Sequence, residues 1–438
     1  MESSQNQSEF LYRPEDKPKS LKDTIIYSLQ WVFIMFYPVI WGYSIVGVGI
    51  ELTPQELGAY MARVVLMIGV STLSQLLAGH QLSMVSGPNI IPSLAIVSAF
   101  TIGGKEYALQ SFNAYIIAGI IIAVLGLVGI IGKISLVWTP LVTGSMLMMI
   151  GLTTSFTGMQ MIATHGANWL YLVGVSLALL CGWLSIKGKG LLSTIPVMLI
   201  IIVGYAVFIA SGNFKWELVN IMPTFSIPQI FPYGLNFPPI DLILVMVIVN
   251  LFSAINMYGN LQGYTGLLDI KLTQDRERKS MTVFGIIEGA LTAVFGVPST
   301  VAMGENMGFL MLTKIASKFF LLIASIIFII LSFFGKVGGF MAAMPEPVAG
   351  AVLLGVASTL IGMGAGEFKN STKFETREIF IVGFSIFFAL GTTGLPQEFF
   401  DALPRLVSTL LNNSVILVIL LVVILEQLIF RKTIKNED

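Results

Sequence analysis

Long apolar stretches alternate with short polar stretches along almost the whole chain. Many of the apolar stretches are about 20 residues long, the length of an α-helix that crosses the hydrocarbon core of a bilayer. We predict fourteen membrane-spanning segments, seven on each side of a polar insert at residues 211–239. The segments are 24–50, 57–78, 84–102, 114–131, 136–156, 170–186, 191–209, 240–261, 282–295, 301–312, 319–334, 348–363, 378–390 and 415–430. An odd number of segments per half inverts the second half, so the pattern predicts an all-α polytopic membrane protein with two inverted seven-segment repeats.

The composition supports a membrane protein and excludes several other classes. Of 438 residues, 55% are hydrophobic and only 11% are charged, which is rare for a soluble domain of this length. The 24 basic and 24 acidic residues cancel, so net charge indicates no nucleic-acid partner. One cysteine, Cys181, and two histidines, His80 and His165, are too few for an internal disulfide or a metal centre. We therefore predict no cofactor, although H⁺ or Na⁺ remains possible as a coupling ion.

Basic residues concentrate in the loops on one side of the predicted membrane topology, and this side is cytoplasmic by the positive-inside rule. Both tails, residues 1–23 and 431–438, lie on this side. Residues 11–21 of the first tail are expected to lie along the membrane surface. The basic residues of this side are Lys17, Lys19, Lys22, Lys187, Lys189, Lys271, Arg276, Arg278, Lys279, Lys369, Lys373, Arg377, Arg431, Lys432 and Lys435.

Residues 297–314 place the carboxylate of Glu305 and the amide of Asn306 between apolar runs. An ionisable group at this depth is costly, so it is a functional-site candidate that faces a cavity rather than lipid. Pro298, Gly304 and Gly308 favour a break: an extended piece that ends near residue 303, followed by a half-helix whose N-terminus points into the protein. In the alternative, Glu305 lies in a loop between two ordinary spans.

The inverted-repeat plan requires that the third segment, the counterpart of the tenth, is interrupted as well. Gly87, Pro88 and Pro92 all fall within this one apolar segment. Proline inside a helix removes a backbone hydrogen bond and clashes with the preceding turn, so one straight helix is unfavourable there. Two interrupted segments at corresponding positions indicate a transport site between them. A pair of simple proline kinks, which membrane helices tolerate, is the alternative.

The run Glu305-Asn306-Met307-Gly308, followed by Thr313-Lys314, resembles the signature of the nucleobase-ascorbate transporter family, also called nucleobase-cation symporter family 2. Residues 11–30, 140–144 and 344–350 are similar to further parts of that family, so the resemblance extends along nearly the whole chain.

The resemblance implies a transport core formed by residues 24–132 and 240–338 and a gate domain formed by residues 133–210 and 339–430. Residues 211–239 become an extracytoplasmic insert between the repeats. The third and tenth segments each contribute a short strand and a half-helix, and the substrate lies between them and the eighth segment. Family members are homodimers that move the core against the gate like an elevator, usually carrying a purine or pyrimidine base with a proton or sodium ion.

Hydrogen-bond chemistry gives each candidate residue a role. A base edge alternates N–H donors with carbonyl acceptors, so Glu305 would accept N–H groups of the base. The main chain at Gly304 and Gly87 would approach the base closely, since glycine has no side chain. Asn306 would brace Glu305 and the two half-helix ends rather than touch substrate. Asn89 would either donate to a base carbonyl or cap its own half-helix.

Two titratable residues of the family are replaced here. Asn256 matches the position of an eighth-segment glutamate, with Asn260 one turn further on, and Gln30-Trp31 stands in place of a first-segment Gln-His pair. Asparagine cannot exchange a proton near neutral pH. Either Glu305 alone couples transport to protons, or the ion differs, or transport is uncoupled. Glu288 in the ninth segment either substitutes for the missing acid or is a packed structural residue.

The sequence thus predicts a nucleobase transporter of the xanthine and uracil type, an ion-coupled, homodimeric, multi-pass protein of the inner or plasma membrane. Its partners would be a small nucleobase and membrane lipid. Alternatives are an anion exchanger on the same inverted-seven fold and an uncoupled nucleobase uniporter. An enzyme is disfavoured, since the sequence shows no nucleophile-base pair, metal cluster or phosphate loop.

Overall fold

A computed structural model of the chain describes residues 10–134, 138–188, 196–304, 306–370 and 374–431. Within these ranges the structure is predominantly α-helical, with two short strands and three π-helical turns. The first half contains α1 (Leu21–Met35), α2 (Val39–Trp41), π1 (Gly42–Gly47), α3 (Pro54–Ala78), β1 (Ser86–Pro88), α4 (Ile90–Val128), α5 (Ile131–Ile134), α6 (Pro140–Ala163), α7 (Trp169–Lys187), α8 (Pro196–Ala210) and α9 (Trp216–Asn220). The second half contains α10 (Ile240–Leu267), α11 (Gln274–Val283), π2 (Phe284–Leu291), α12 (Thr292–Val294), β2 (Thr300–Ala302), α13 (Asn306–Thr313), α14 (Lys318–Ser332), α15 (Gly335–Ala342), α16 (Glu346–Asn370), α17 (Thr376–Thr392), α18 (Gln397–Asp401), α19 (Arg405–Leu411), α20 (Ser414–Ile424) and π3 (Leu425–Ile429).

Seven of the described helices are long and apolar enough to cross a membrane, judged by length and composition. The number rises to nine if each of two pairs bent by 91° counts as one span: α14 with α15, and α19 with the helix that continues to Ile429. Crossings of this number and length make the chain a multi-pass membrane protein.

Helix α4 is long enough for two crossings. Its 39 residues extend about 58 Å at about 1.5 Å per residue, roughly twice the thickness of a hydrocarbon core. Gly104 interrupts it, with φ 74° and ψ −172°, a conformation that is essentially restricted to glycine. The break falls between the predicted segments 84–102 and 114–131, so the two predicted segments are joined through one glycine rather than through a loop.

Two strands meet in the interior of the molecule. β1 and β2 are antiparallel, with Gly87 opposite Val301 at the centre of the pair. The backbone pairing continues beyond both strands: the Met303 N–H donates to the Val85 carbonyl oxygen (3.0 Å), and the Asn89 N–H donates to the Ser299 carbonyl oxygen (2.8 Å). Unpaired backbone N–H and carbonyl groups are costly away from water. Each interrupted segment provides hydrogen-bond partners for such groups of the other.

Glycines allow the backbones of α4 and π2 to approach each other closely behind these strands. A Cβ atom at Gly285 of π2 would lie 2.2 Å from the Ala123 nitrogen of α4, and one at Gly119 would lie 2.3 Å from the Ala290 nitrogen. Small residues at helix interfaces permit this kind of close approach within a membrane. The second half of α4 and π2 thus form one closely packed support behind the strands.

The polar insert packs onto the protein. Arg63 of α3 is buried and donates from Nη2 to the Tyr233 hydroxyl (3.1 Å). The Tyr233 ring in turn stacks on Phe112 of α4, with ring centroids 5.1 Å apart. The Phe231 N–H donates to the Val294 carbonyl oxygen (2.7 Å). These contacts fix the insert to helices of both halves.

The N-terminal segment packs onto the protein through Tyr12. This residue is 1% exposed and forms a parallel bridge with Ile315, whereas Leu11 beside it is 50% exposed. Tyr27 and Phe320 form an aromatic cage around the Tyr12 ring, with edge contacts at 5.8 and 5.0 Å. The position of residues 11–21 along the membrane surface stays a prediction.

Candidate functional site

A cavity of about 260 Å³ lies beside the paired strands. One wall is formed by the ends of the interrupted segments, at Val85, Met303 and Asn306. The opposite wall comes from α7 and α16, through Cys181 and Thr359. The cavity lies near the start of α8 and the end of α7, which border the basic loop that follows the sixth predicted segment.

The described wall of this cavity is largely apolar. Among the described residues that line it, none is acidic or basic. Polar groups come from the Asn306 amide and from the hydroxyls of Tyr37, Ser185 and Thr359. A largely apolar concave site with a few polar groups suits a small, neutral, partly apolar molecule. The predicted carboxylate, Glu305, lies outside the described residues.

Asn306 connects the two interrupted segments. Its side chain is 4% exposed and donates from Nδ2 to the carbonyl oxygens of Met303 (2.7 Å) and Val85 (3.2 Å). One carbonyl belongs to the tenth predicted segment and the other to the third. A single amide therefore fixes the relative position of the two chain breaks.

The eighth predicted segment reaches the same place through two asparagines. The Asn260 Nδ2 donates to the Ala302 carbonyl oxygen (2.9 Å) and to Asn256 Oδ1 (3.0 Å). A Cβ at Gly304 would lie 2.8 Å from Asn260 Oδ1, so only glycine leaves this approach open. The structure thus brings Asn256, Asn260 and Gly304 together, beside β2.

Gly87 lies on β1, and Asn89 follows this strand as the N-cap of α4. A Cβ at Gly87 would stand 2.2 Å from the Pro38 Cβ and 3.1 Å from the Met303 sulfur, so its contact is with the first predicted segment and with the cavity wall. Asn89 Oδ1 accepts from the Ile91 N–H (3.1 Å) and caps α4. Its Nδ2 is buried without a hydrogen-bond partner among the described residues, which leaves one donor for another group.

Glu288 lies behind the strands and not in the cavity wall. It is fully buried in π2, and its Oε2 accepts from Gln75 Nε2 (2.8 Å). Gln75 Nε2 also donates to the Ser280 carbonyl oxygen (3.1 Å). The Ser86 hydroxyl of β1 and Glu288 Oε1 are both buried without a hydrogen-bond partner among the described residues. Glu288 is thus held by Gln75 of α3.

The two histidines do not replace the missing titratable residues. His80 lies in the turn after α3, where burial and the nearby charge of Arg276 lower its pKa to about 3. The imidazole is therefore neutral near pH 7, and its Nδ1 accepts from the Leu82 N–H (3.0 Å). His165 is exposed in the loop between α6 and α7.

Several residues at this site were missed in the sequence. Ser185 and Thr359 of the far wall lie in apolar helices, where hydroxyl residues are common and give no signal. Gln75 is different, because an amide within the predicted span 57–78 is unusual enough to be noticed. Its partner in π2 depends on tertiary packing and has no local sequence signal.

The fold and this interior site are those of a membrane permease. The transmembrane domain of the bicarbonate transporter BicA of a cyanobacterium superimposes with a TM-score of 0.62 at 11% identity, over 94% of this chain and 98% of that chain. The murine anion transporter Slc26a9 in its inward-facing state also gives 0.62 at 11% identity, over 88% of this chain and 67% of that one. These similarities show a shared inverted-repeat transporter fold.

Sequence comparison adds the family. The permease family model Xan_ur_permease matches residues 22–398. The xanthine permease of Bacillus subtilis is 24% identical, over 90% of each chain, and the uracil permease of Bacillus caldolyticus is 26% identical, over 91% of this chain and 93% of its own. Xanthine permease XanQ of Escherichia coli is 23% identical, over 93% and 91%. The chain belongs to the nucleobase-ascorbate transporter family, so it is a transporter and not an enzyme.

Proposed function

We propose that this protein carries a purine or pyrimidine base of the xanthine or uracil type across the cell membrane. The observation that carries the proposal is the cavity beside two interrupted, mutually paired segments, whose described lining is largely apolar and carries no charged side chain. A neutral heterocycle needs apolar walls and a few fixed donors and acceptors. The names of the relatives, xanthine, uracil and uric acid permeases, support the same class of substrate.

In this proposal the base binds between the strand ends and the eighth predicted segment. Glu305 accepts N–H groups of the base, and the main chain at Gly87 and Gly304 approaches it closely. Asn256 and the free Nδ2 of Asn89 supply further hydrogen bonds. Asn306 and Asn260 hold these groups in place through the carbonyl oxygens of residues 85, 302 and 303.

Transport would follow from motion of a core, residues 24–132 and 240–338, against a gate, residues 133–210 and 339–430. The cavity lies between these two parts near the predicted cytoplasmic side. On the opposite side the two parts touch, where the Tyr43 hydroxyl donates to the Met344 carbonyl oxygen (2.9 Å). These two observations support an inward-facing state.

The proposal also includes fourteen spans in two inverted repeats of seven, cytoplasmic termini and a homodimer.

Coupling to an ion is assigned to acidic residues of the core. Glu305 is the first candidate, because Asn256 and Trp31 cannot exchange protons near neutral pH. Glu288 is the second, since it is an acid fully buried in the core and hydrogen-bonded to Gln75. A uniporter remains the alternative if neither acid matters for accumulation.

An anion exchanger is the second candidate function, since the similar solved structures are anion transporters. Facing half-helix N-termini also favour anions. The described lining of the cavity provides no basic side chain to support an anion. We therefore place anion transport behind nucleobase transport.

The test is uptake into proteoliposomes of radiolabelled uracil, xanthine, uric acid, hypoxanthine, adenine and guanine, with and without proton or sodium gradients. We expect saturable uptake of at least one base by the wild type and its loss in Glu305→Gln. The matched control is Glu106→Gln, an exposed acid of α4, which should retain uptake. Accumulation that a gradient drives in wild type but not in Glu288→Gln would assign coupling to Glu288. Transport of sulfate or bicarbonate without any base would contradict the proposal.

A further inference from the structure

The N-terminal segment runs beside the loop that follows the tenth predicted segment and pairs with it through backbone hydrogen bonds. We call residues 10–20 the N-terminal strap. Its backbone pairs with residues 314–318, which connect α13 to α14. The N–H groups of Leu11 and Tyr12 donate to the Lys314 carbonyl oxygen (2.9 and 3.3 Å), and the Ala316 N–H donates to the Tyr12 carbonyl oxygen (2.8 Å).

These hydrogen bonds terminate the half-helix that begins at Asn306. Helix α13 has only eight residues, and helices this short are marginal without tertiary support. The last carbonyl groups of a helix have no partner within the helix. Lys314, with φ 58°, turns the chain out of α13, and its carbonyl group is satisfied by the strap.

Tyr12 anchors the strap. Besides the cage of Tyr27 and Phe320, its hydroxyl donates to Asp23 Oδ2 (2.7 Å) and accepts from the Lys19 N–H (3.2 Å). The ring is therefore fixed to α1, to α14 and to the strap itself. Removing it would leave the strap with mainly exposed contacts.

Glu15 extends the strap to the other interrupted segment. Its carboxylate pairs with Lys318 Nζ (2.5 Å) and, more weakly, with Arg276 Nη2 (4.0 Å). Arg276 donates from Nε to the His80 carbonyl oxygen (2.5 Å) and from Nη2 to the Gln81 carbonyl oxygen (3.1 Å). Residues 80 and 81 form the turn that leads into β1. The Glu15 carboxylate thus contacts the segment that follows α13, through Lys318, and the turn that precedes β1, through Arg276.

We propose that the N-terminal strap is a positioning element of the substrate site, with Tyr12 and Glu15 as its positioning residues. Neither residue lines the cavity. They act through α13 and through the turn before β1, which hold Asn306 and Gly87. The inference rests on the proposed function, because it assigns substrate binding to those two elements.

The primary test compares Tyr12→Ala and Glu15→Gln with Lys17→Ala, a change at an exposed position of the same strap. Equilibrium binding of the transported base to purified, full-length protein gives Kd, and proteoliposome uptake gives the maximal rate. We expect Tyr12→Ala to weaken binding about tenfold, through loss of a buried ring and its hydroxyl hydrogen bonds. Glu15→Gln should weaken binding several-fold, through loss of the ion pair with Lys318 in which the Glu15 side chain is 65% exposed, while Lys17→Ala stays within about twofold. Tyr12→Phe keeps the ring and should recover most of the affinity. Maximal uptake at saturating base should change less than Kd.

Hydrogen exchange supplies a readout that does not require a substrate. In the two strap variants, amides of residues 306–313 and 84–87 should exchange faster, with α6 and α16 unchanged. Folded variants with wild-type Kd and wild-type exchange would overturn the proposal. If Tyr12→Ala fails to fold, Glu15→Gln decides alone. If the wild type binds no base, the proposed function fails, and hydrogen exchange alone tests the strap. Unchanged amide exchange rates in α13 of the strap variants would then refute its positioning role.

Discussion

Asn306 carries the connection between the two chain breaks, and it does so with one nitrogen atom. Its Nδ2 serves carbonyl oxygens of both interrupted segments, at 2.7 and 3.2 Å. Its place beside Glu305 in the sequence predicts bracing and not substrate contact. The structure supplies the partners, which no local pattern identifies, because Val85 lies more than 200 positions away along the chain.

We predict that Asn306→Asp loses both function and stability. Aspartate has the same shape but no N–H, so the buried carbonyl oxygens of residues 85 and 303 lose their donor. Each loss costs about 1–3 kcal/mol. Thermal unfolding in detergent should shift downward, and base uptake should fall by more than tenfold. Asn236→Ala, an exposed asparagine of the insert, serves as the control. An Asn306→Asp protein with wild-type unfolding temperature and uptake would contradict this role.

At the scale of elements, the sequence predicted where helices break but not what replaces them. Gly87 and Pro88 indicated the interruption of the third segment, because proline and glycine disfavour a continuous helix. The pairing of Gly87 with Val301 could not be read from either segment alone, since strand register is a tertiary property. The π-helical form of Phe284–Leu291 was missed as well, since its apolar pattern is that of an ordinary span.

The N-terminal segment shows the same limit. Its mixture of charged and aromatic residues is typical of a membrane-surface segment, and this position stays a prediction, whereas the burial of Tyr12 was missed. Burial of this tyrosine depends on a cage made by Phe320, more than 300 positions away. The local sequence contains no information about that partner.

Gly104 gives a prediction for helix α4. Its φ of 74° with ψ of −172° is accessible to glycine and strained for other residues by about 1–3 kcal/mol. A Cβ there meets no atom within 4 Å, so Gly104→Ala tests backbone conformation without a steric clash. We expect a lower unfolding temperature for Gly104→Ala. Gly383→Ala, also free of contacts but inside the regular helix α17, should be neutral or slightly stabilising. Equal unfolding temperatures for both variants would contradict the assigned break.

At the scale of the whole molecule, apolar length predicted a multi-pass membrane protein, and the inverted-repeat transporter fold agrees with the predicted plan. The division into seven and seven segments stays a prediction, because several described helices are shorter than a full crossing or sharply bent. The position of the cavity follows from two halves packing together, which periodicity does not describe. Its far wall, at Cys181 and Thr359, is the part of the site with no sequence signal.

The central claim is that a neutral base binds beside the paired strands. The most direct measurement is an experimental structure of the full-length protein with the base that it transports. The account predicts density for one planar molecule in the cavity next to Met303 and Asn306, within hydrogen-bond distance of the main chain near Gly304 and facing Asn256. A base bound away from β1 and β2, or a bound anion in that cavity in place of the base, would contradict it.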